Sequence, residues 1–240
     1  PNGRSAAQWA AAGDSFPRTA AYRAVAIPTV LSEELLPLET FHVRIKPCYK
    51  THPAKGEPCM KLLIASDIHG SALWCQKLLD AFEKEGAEKM LLLGDFLYHG
   101  PRNDLPDEYD PKKVIALLSA YQDRILAVRG NCDGDVDQMV LPFPIMAEYA
   151  VLQLGGRTMY ATHGHVFNPQ NRPPLQKGDV LLNGHTHIPA FREEDGFFYM
   201  NPGSVSIPKE NSCHQYILMD GNTFTMKDMD GHILQSVTLD

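Results

Sequence analysis

Met60-Lys61-Leu62-Leu63-Ile64-Ala65-Ser66-Asp67-Ile68-His69-Gly70 is the stretch whose reading decides the fold. A short apolar run that breaks into Asp, His and Gly reads as a buried strand ending in a polar turn. Ser71 suits a helix N-cap, and Leu73, Trp74, Leu78, Leu79 and Phe82 fall at helical spacing over Ala72–Glu85. Gly86 stops that helix, and Lys89–Leu93 is a second buried strand ending at Gly94-Asp95. A helix over Lys112–Tyr121 and a strand over Ile125–Val128 follow, ending at Gly130-Asn131-Cys132-Asp133. Strand, helix, strand, helix, strand implies parallel pairing with right-handed crossovers.

The second half is mainly β. Ala150–Leu154 and Arg157–Ala161 flank the hairpin signal Gly155-Gly156, and the second arm ends at Thr162-His163-Gly164-His165. Val180–Leu182 leads into Asn183-Gly184-His185-Thr186-His187. Further short strands are expected over 197–200, 205–207, 214–219, 223–226 and 233–239. Residues 1–59 read differently, with Ala, Pro and Arg early and five prolines between Pro28 and Pro58. They are expected to be an upstream-translated or poorly ordered N-terminal extension to a domain spanning 60–240.

With 44% hydrophobic and 21% charged residues, the chain can bury a sizeable core. Its net charge of −7 argues against sequence-independent nucleic-acid binding, which needs a basic face. Five widely spaced cysteines without a CxxC pair suggest free thiols and a cytoplasmic setting. No run approaches the length of a membrane span.

The polar residues that follow the apolar runs carry the chemistry. In an extended strand, His185 and His187 would point to opposite sides, but at a strand end they can converge on one small volume. Alone, each motif has an ordinary explanation as a turn or a capping residue. Together, Asp67, His69, Asp95, Asn131, His163, His185 and His187 collect at the carboxyl ends of strands, where open α/β sheets place their sites. Mixed Asp, Asn and His donors suit a borderline divalent metal, not a calcium cage or a thiolate zinc site. The set is large enough for two metals sharing a carboxylate.

This series resembles the calcineurin-like metallophosphoesterase superfamily. Gly94–Asn103, Arg129–Asp133 and Asn201–Lys209 are similar to its small bacterial phosphodiesterases of the YfcE type. The resemblance covers Met60 to near Asp240. It implies an α/β fold, a four-layer α/β/β/α sandwich of two mixed β-sheets. It further implies one metal on Asp67, His69, Asp95 and His187, and another on Asp95, Asn131, His163 and His185. The implied activity is phosphodiesterase, by attack of a metal-bridging hydroxide on a small phosphodiester. Mn²⁺ is favoured over Ni²⁺, Fe²⁺, Zn²⁺ or Mg²⁺.

Larger members place His after the Gly-Asn pair as an acid for the leaving group; Cys132 stands there in this chain. His99 and His165 are the alternative proton donors, and Arg102 is a candidate phosphate contact. The loops 96–111 and 166–178 are expected to shape the pocket. A phosphomonoesterase or nucleotidase on the same metals is the second reading. A non-catalytic binding scaffold, as in a retromer subunit resembling this fold, is the third. No membrane partner is expected, nucleic acid is disfavoured, and a homo-oligomer is left open.

Overall fold

The computed structural model describes residues 60–154 and 156–239; the expected extension over 1–59 lies outside them. β1 (Lys61–Ala65), β2 (Lys89–Leu92) and β3 (Ile125–Ala127) pair in parallel, as the alternating pattern requires. β9 (Gln215–Asp220) joins the other edge of β1 antiparallel, followed by β10 (Thr223–Asp228) and β11 (Ile233–Thr238). The result is one mixed six-stranded sheet, ordered β11-β10-β9-β1-β2-β3.

β4 (Tyr149–Leu154), β5 (Arg157–Thr162), β6 (Val180–Leu182), β7 (Ala190–Glu194) and β8 (Phe197–Asn201) make the second mixed sheet, ordered β4-β5-β6-β8-β7. β5, β6 and β8 run parallel, while β4 and β7 are antiparallel edges.

Alternation along β1 separates two cores, because successive side chains leave opposite faces. Leu63 and Ala65 pack under α1 (Ala72–Glu85) and α2 (Pro111–Ser119), with Cys75, Leu78, Phe82, Val114 and Leu118. Leu62 and Ile64 face the second sheet and meet Met159, Ala161, Val180, Leu182 and Met200. Nearly every one of these residues is fully buried, which is the main stabilisation of the sandwich. On the outer face of the second sheet Leu181, Phe197 and Tyr199 are covered by Leu175.

Ser71 caps α1 by accepting the Trp74 N–H, and Gly86 ends it in the left-handed conformation at φ 63°. Two elements escaped the sequence reading: α3 (Asp135–Val140) and β7. The strand expected over 205–207 is not formed. Its backbone turns instead, with Val205 N–H donating to Ser66 O at 2.9 Å. Cys75, Cys132 and Cys213 are free thiols; Cys48 and Cys59 lie outside the described residues. No helix among the described residues is long and apolar enough to cross a membrane.

Candidate metal centre

Parallel pairing brings the carboxyl ends of β1, β2 and β3 side by side, so Asp67, Asp95 and Asn131 gather on neighbouring turns. The second sheet delivers His163 after β5 and His185 and His187 after β6, from across the inner core. Backbone bonds lock neighbouring turns together within each sheet. Asp67 N–H donates to Gly94 O at 3.1 Å, His69 N–H to Asp95 O at 2.9 Å and Gly184 N–H to His163 O at 2.8 Å.

Asp67, His69, Asp95, His185 and His187 all adopt φ between 48° and 66°. Left-handed backbone in residues other than glycine is uncommon and costs on the order of 1 kcal/mol or more each. The cost is borne where it turns side chains inward from strand ends. Close approach demands glycine beside them. A Cβ on Gly130 would overlap the Asp95 carboxylate, and one on Gly184 would overlap Ser66 Oγ and lie 2.8 Å from Asp67 Oδ2.

The geometry of the ring nitrogens is decisive. His69, His163 and His187 each donate from Nδ1 to a backbone carbonyl, Tyr98 O, Leu93 O and Ile207 O, all at 2.7 Å. Their Nε2 lone pairs therefore face inward when the rings are neutral. His69 Nε2 and His187 Nε2 are 3.2 Å apart, and Asp67 Oδ1 lies 3.5 Å and 3.2 Å from them. Asp67 Oδ1 is buried without a hydrogen-bond donor. Three acceptors crowded together need a cation, or protons, between them.

A second group adjoins it. His163 Nε2 lies 3.3 Å from Asp95 Oδ2 and 3.0 Å from Asn131 Oδ1. Asp95 Oδ2 is also 3.6 Å from His69 Nε2, so this carboxylate stands between the two groups. His185 approaches from the rim: its ring packs 5.0 Å from that of His163, and its backbone N–H donates to Asp67 Oδ2 at 3.0 Å.

The electrostatics follow from burial opposed by pairing. Burial raises the Asp67 carboxyl, but His163, His187 and His69 outweigh it and hold it well below its ordinary value. Asp95 is likewise lowered, by His163 against burial. Burial lowers His163, yet Asp67 and Asp95 overcome it and push the ring up to about 9. Without a cation, then, protons serve as the counter-charge between these carboxylates and rings.

The other expected residues are placed as follows. Cys132 donates its backbone N–H to Asp95 Oδ1 at 2.8 Å, and its thiol is pushed up to about 12 by burial and the Asp95 charge. His99 packs its ring edgewise on Tyr98 and Tyr109, at 4.8 and 5.2 Å. His165 lies 6.2 Å from His185, centroid to centroid, in an adjoining cavity. Arg102 lines the same cavity, of about 380 Å³, as His69, Asp95, Asn131, His185 and His187. The loop 96–111 supplies that wall through Gly100–Asn103, whereas Asn168–Gln170 of the other loop line the adjoining cavity.

Three supports were not singled out from sequence. Asp133 is buried and accepts the N–H groups of Asp95, Phe96 and Gly130 at 2.8, 2.9 and 2.7 Å. Ser204 and Ser206 donate their hydroxyls to Asp67 O at 2.8 and 3.1 Å. Lys209 lines the cavity as well. Asp-after-Asn-Cys and Ser-x-Ser carry no local signal, because apart from Gly130 their partners lie tens of residues or more away.

A model of the calcineurin-like phosphoesterase superfamily domain matches residues 60–223. The chain is 46% identical over 167 residues to phosphodiesterase YfcE of Escherichia coli K12, covering 70% of this chain and 91% of that protein. The solved structure of the E. coli protein superposes with a TM-score of 0.73 at 43% identity, over 75% of this chain and all of that one. Zinc-complexed Vps29 of Entamoeba histolytica shares the fold at a TM-score of 0.51 and 21% identity, over 75% of this chain and 100% of that one.

Proposed function

Because this chain belongs to the calcineurin-like phosphoesterase superfamily and is a phosphoric ester hydrolase of the YfcE-like phosphodiesterases, we infer that it hydrolyses small phosphodiesters at a dinuclear metal centre. The observation that carries the reading is the crowd of acceptors at Asp67 Oδ1, His69 Nε2 and His187 Nε2, with Asp67 Oδ1 buried and lacking a donor. Donors of this kind, carboxylate and imidazole with an amide oxygen, fit Mn²⁺, with Ni²⁺, Fe²⁺, Zn²⁺ and Mg²⁺ behind it. Asp67, His69, Asp95 and His187 would hold one ion, and Asp95, Asn131, His163 and His185 the other. Bound there, such ions would supply positive charge to a phosphoryl group and would acidify a water.

The chain's own groups set the rest. Carbonyl bonds to His69, His163 and His187 hold these rings in the tautomer that presents Nε2 inward. Cys132 keeps its proton at neutral pH, with its thiol near 12, and so is neither nucleophile nor acid. The leaving group then departs without a proton from that position, which favours acidic leaving groups. The acidic balance of the chain supports a small substrate over a polynucleotide.

The test is hydrolysis of a chromogenic phosphodiester and its monoester by metal-stripped protein, with each metal restored in turn. Mn²⁺-dependent diester turnover that Asp95→Asn and His185→Ala abolish is the expected result. Preference for the monoester would replace the reading with phosphomonoesterase. A folded protein inert with every metal would leave the binding scaffold.

A further inference from the structure

Two cations share the cavity with the ligand cluster, and neither has a carboxylate partner among the described residues. Arg102 comes from the loop after β2, and Lys209 from the segment after β8. Elsewhere, arginines find acceptors within the fold: Arg124, Arg129, Arg172 and Arg192 reach carboxylates, and Arg157 donates to Gly178 O. Among the described residues, neither the Arg102 guanidinium nor the Lys209 ammonium has a carboxylate within ion-pair distance. In a chain of net charge −7, two cations without a carboxylate partner among the described residues thus face one pocket.

Both are held by their backbones, not left to roam. Lys209 N–H donates to His187 O at 3.2 Å, and Lys209 O accepts from Ser212 N–H at 3.1 Å and Ser212 Oγ at 2.6 Å. The turn that carries Arg102 is closed by Asn103, whose Nδ2 donates to His99 O at 2.8 Å. The side chains are exposed at the pocket mouth, so filling them with an anion requires little desolvation of the protein.

A phosphodiester carries one negative charge, and that charge belongs at the ligand cluster. A further pair of unspent cations in the same pocket calls for a further anion on the same substrate. Guanidinium binds phosphate in bidentate fashion, and ammonium binds it as a point charge. Resting on the phosphodiesterase reading, we propose that Arg102 and Lys209 form a second anion subsite. The preferred substrates are then diesters that carry an additional phosphate on one ester arm.

Binding and turnover test this separately. Thymidine 5′-monophosphate and thymidine 3′,5′-bisphosphate are titrated calorimetrically into the Mn²⁺-loaded protein at low ionic strength. The wild type should bind the bisphosphate about tenfold more tightly, a difference within reach of charge-assisted contacts. Arg102→Ala with Lys209→Ala should erase the difference, and Arg102→Glu with Lys209→Glu should invert it. Equal binding of both ligands by the wild type, or a preference that survives in the double variant, overturns the subsite. In parallel, KM is compared for the p-nitrophenyl ester of thymidine 5′-monophosphate with and without a 3′-phosphate. A lower KM for the charged ester, lost in the double variant, supports the proposal. Absence of turnover on either ester would refute the phosphodiesterase reading while the calorimetry still decides the subsite.

Discussion

Asp133→Ala removes a side chain that touches no expected ligand atom, and it should still disable the site. The Asp133 carboxylate joins the turn after β2 to the turn after β3, through the N–H groups of Asp95, Phe96 and Gly130 at 2.7 to 2.9 Å. Hydrogen bonds to a charged acceptor contribute roughly 1.5 kcal/mol or more each, so three amount to about 5 kcal/mol. Against this, burial and the Asp95 charge push the Asp133 carboxyl up from 3.8 to about 6. The desolvation behind that shift offsets part of what the three bonds contribute. The net loss on truncation is on the order of 2 kcal/mol, or several degrees in Tm for a domain of this size. Metal affinity should suffer more than stability suggests, because Asp95 and Asn131 sit on the two turns that are no longer tied. Calorimetric titration of Mn²⁺ alongside thermal melts of the metal-free protein would measure both. Asp133→Asn, which keeps the volume and one accepting oxygen, should fall between. Wild-type Mn²⁺ affinity in a folded Asp133→Ala protein would refute the clamp.

Gly184→Ala should cost about 1–3 kcal/mol and weaken metal binding, because its Cβ would overlap Ser66 Oγ and crowd Asp67 Oδ2; an unchanged melt would contradict the close approach. Metal affinity should rise with pH up to about 9, since His163 must lose its proton to bind, and proton release into weak buffer should accompany binding. The sign reverses for the metal-free fold: the raised His163 pKa contributes stability that is complete below 6.5 and lost as pH rises through about 9, so its Tm should fall over that window. A flat affinity between pH 7 and pH 9 would exclude His163 as a ligand. Rates should depend steeply on leaving-group pKa, aryl esters far outpacing alkyl esters, because the Cys132 thiol near 12 supplies no proton. His99→Gln should lose far less than the ~10²-fold that removal of a general acid causes, as measured on alkyl esters.

The strand and helix alternation from Lys61 to Ala127 was legible because burial on both faces of a parallel sheet leaves continuous apolar runs. α1 was read with the bounds it has, since Ser71 and Gly86 mark its ends chemically. The seven ligand candidates were legible for a related reason: each follows an apolar run, and strand ends are where side chains can converge. α3 escaped because six residues, four of them exposed and none buried, carry no periodic stripe. β7 escaped because it is an edge strand, with Ala190 and Phe191 half-buried and then Arg192-Glu193-Glu194. Apolar Val205 and Ile207 suggested a strand, but the backbone there is spent on Ser66 and Asp67 instead.

By itself, the sequence determined which groups were available: two carboxylates, an amide and four imidazoles at strand ends, with a thiol after the Gly130-Asn131 pair. Tertiary structure decided how they are used. Which nitrogen of each ring faces inward depends on carbonyls of Leu93, Tyr98 and Ile207 that lie 20 to 70 residues away. That Asp133 clamps, that Ser204 and Ser206 hold Asp67 O, and that Arg102 and Lys209 face one pocket are equally products of distant pairing. Local chemistry writes itself into neighbouring residues, whereas contacts between turns of two packed sheets exist only once both sheets have formed.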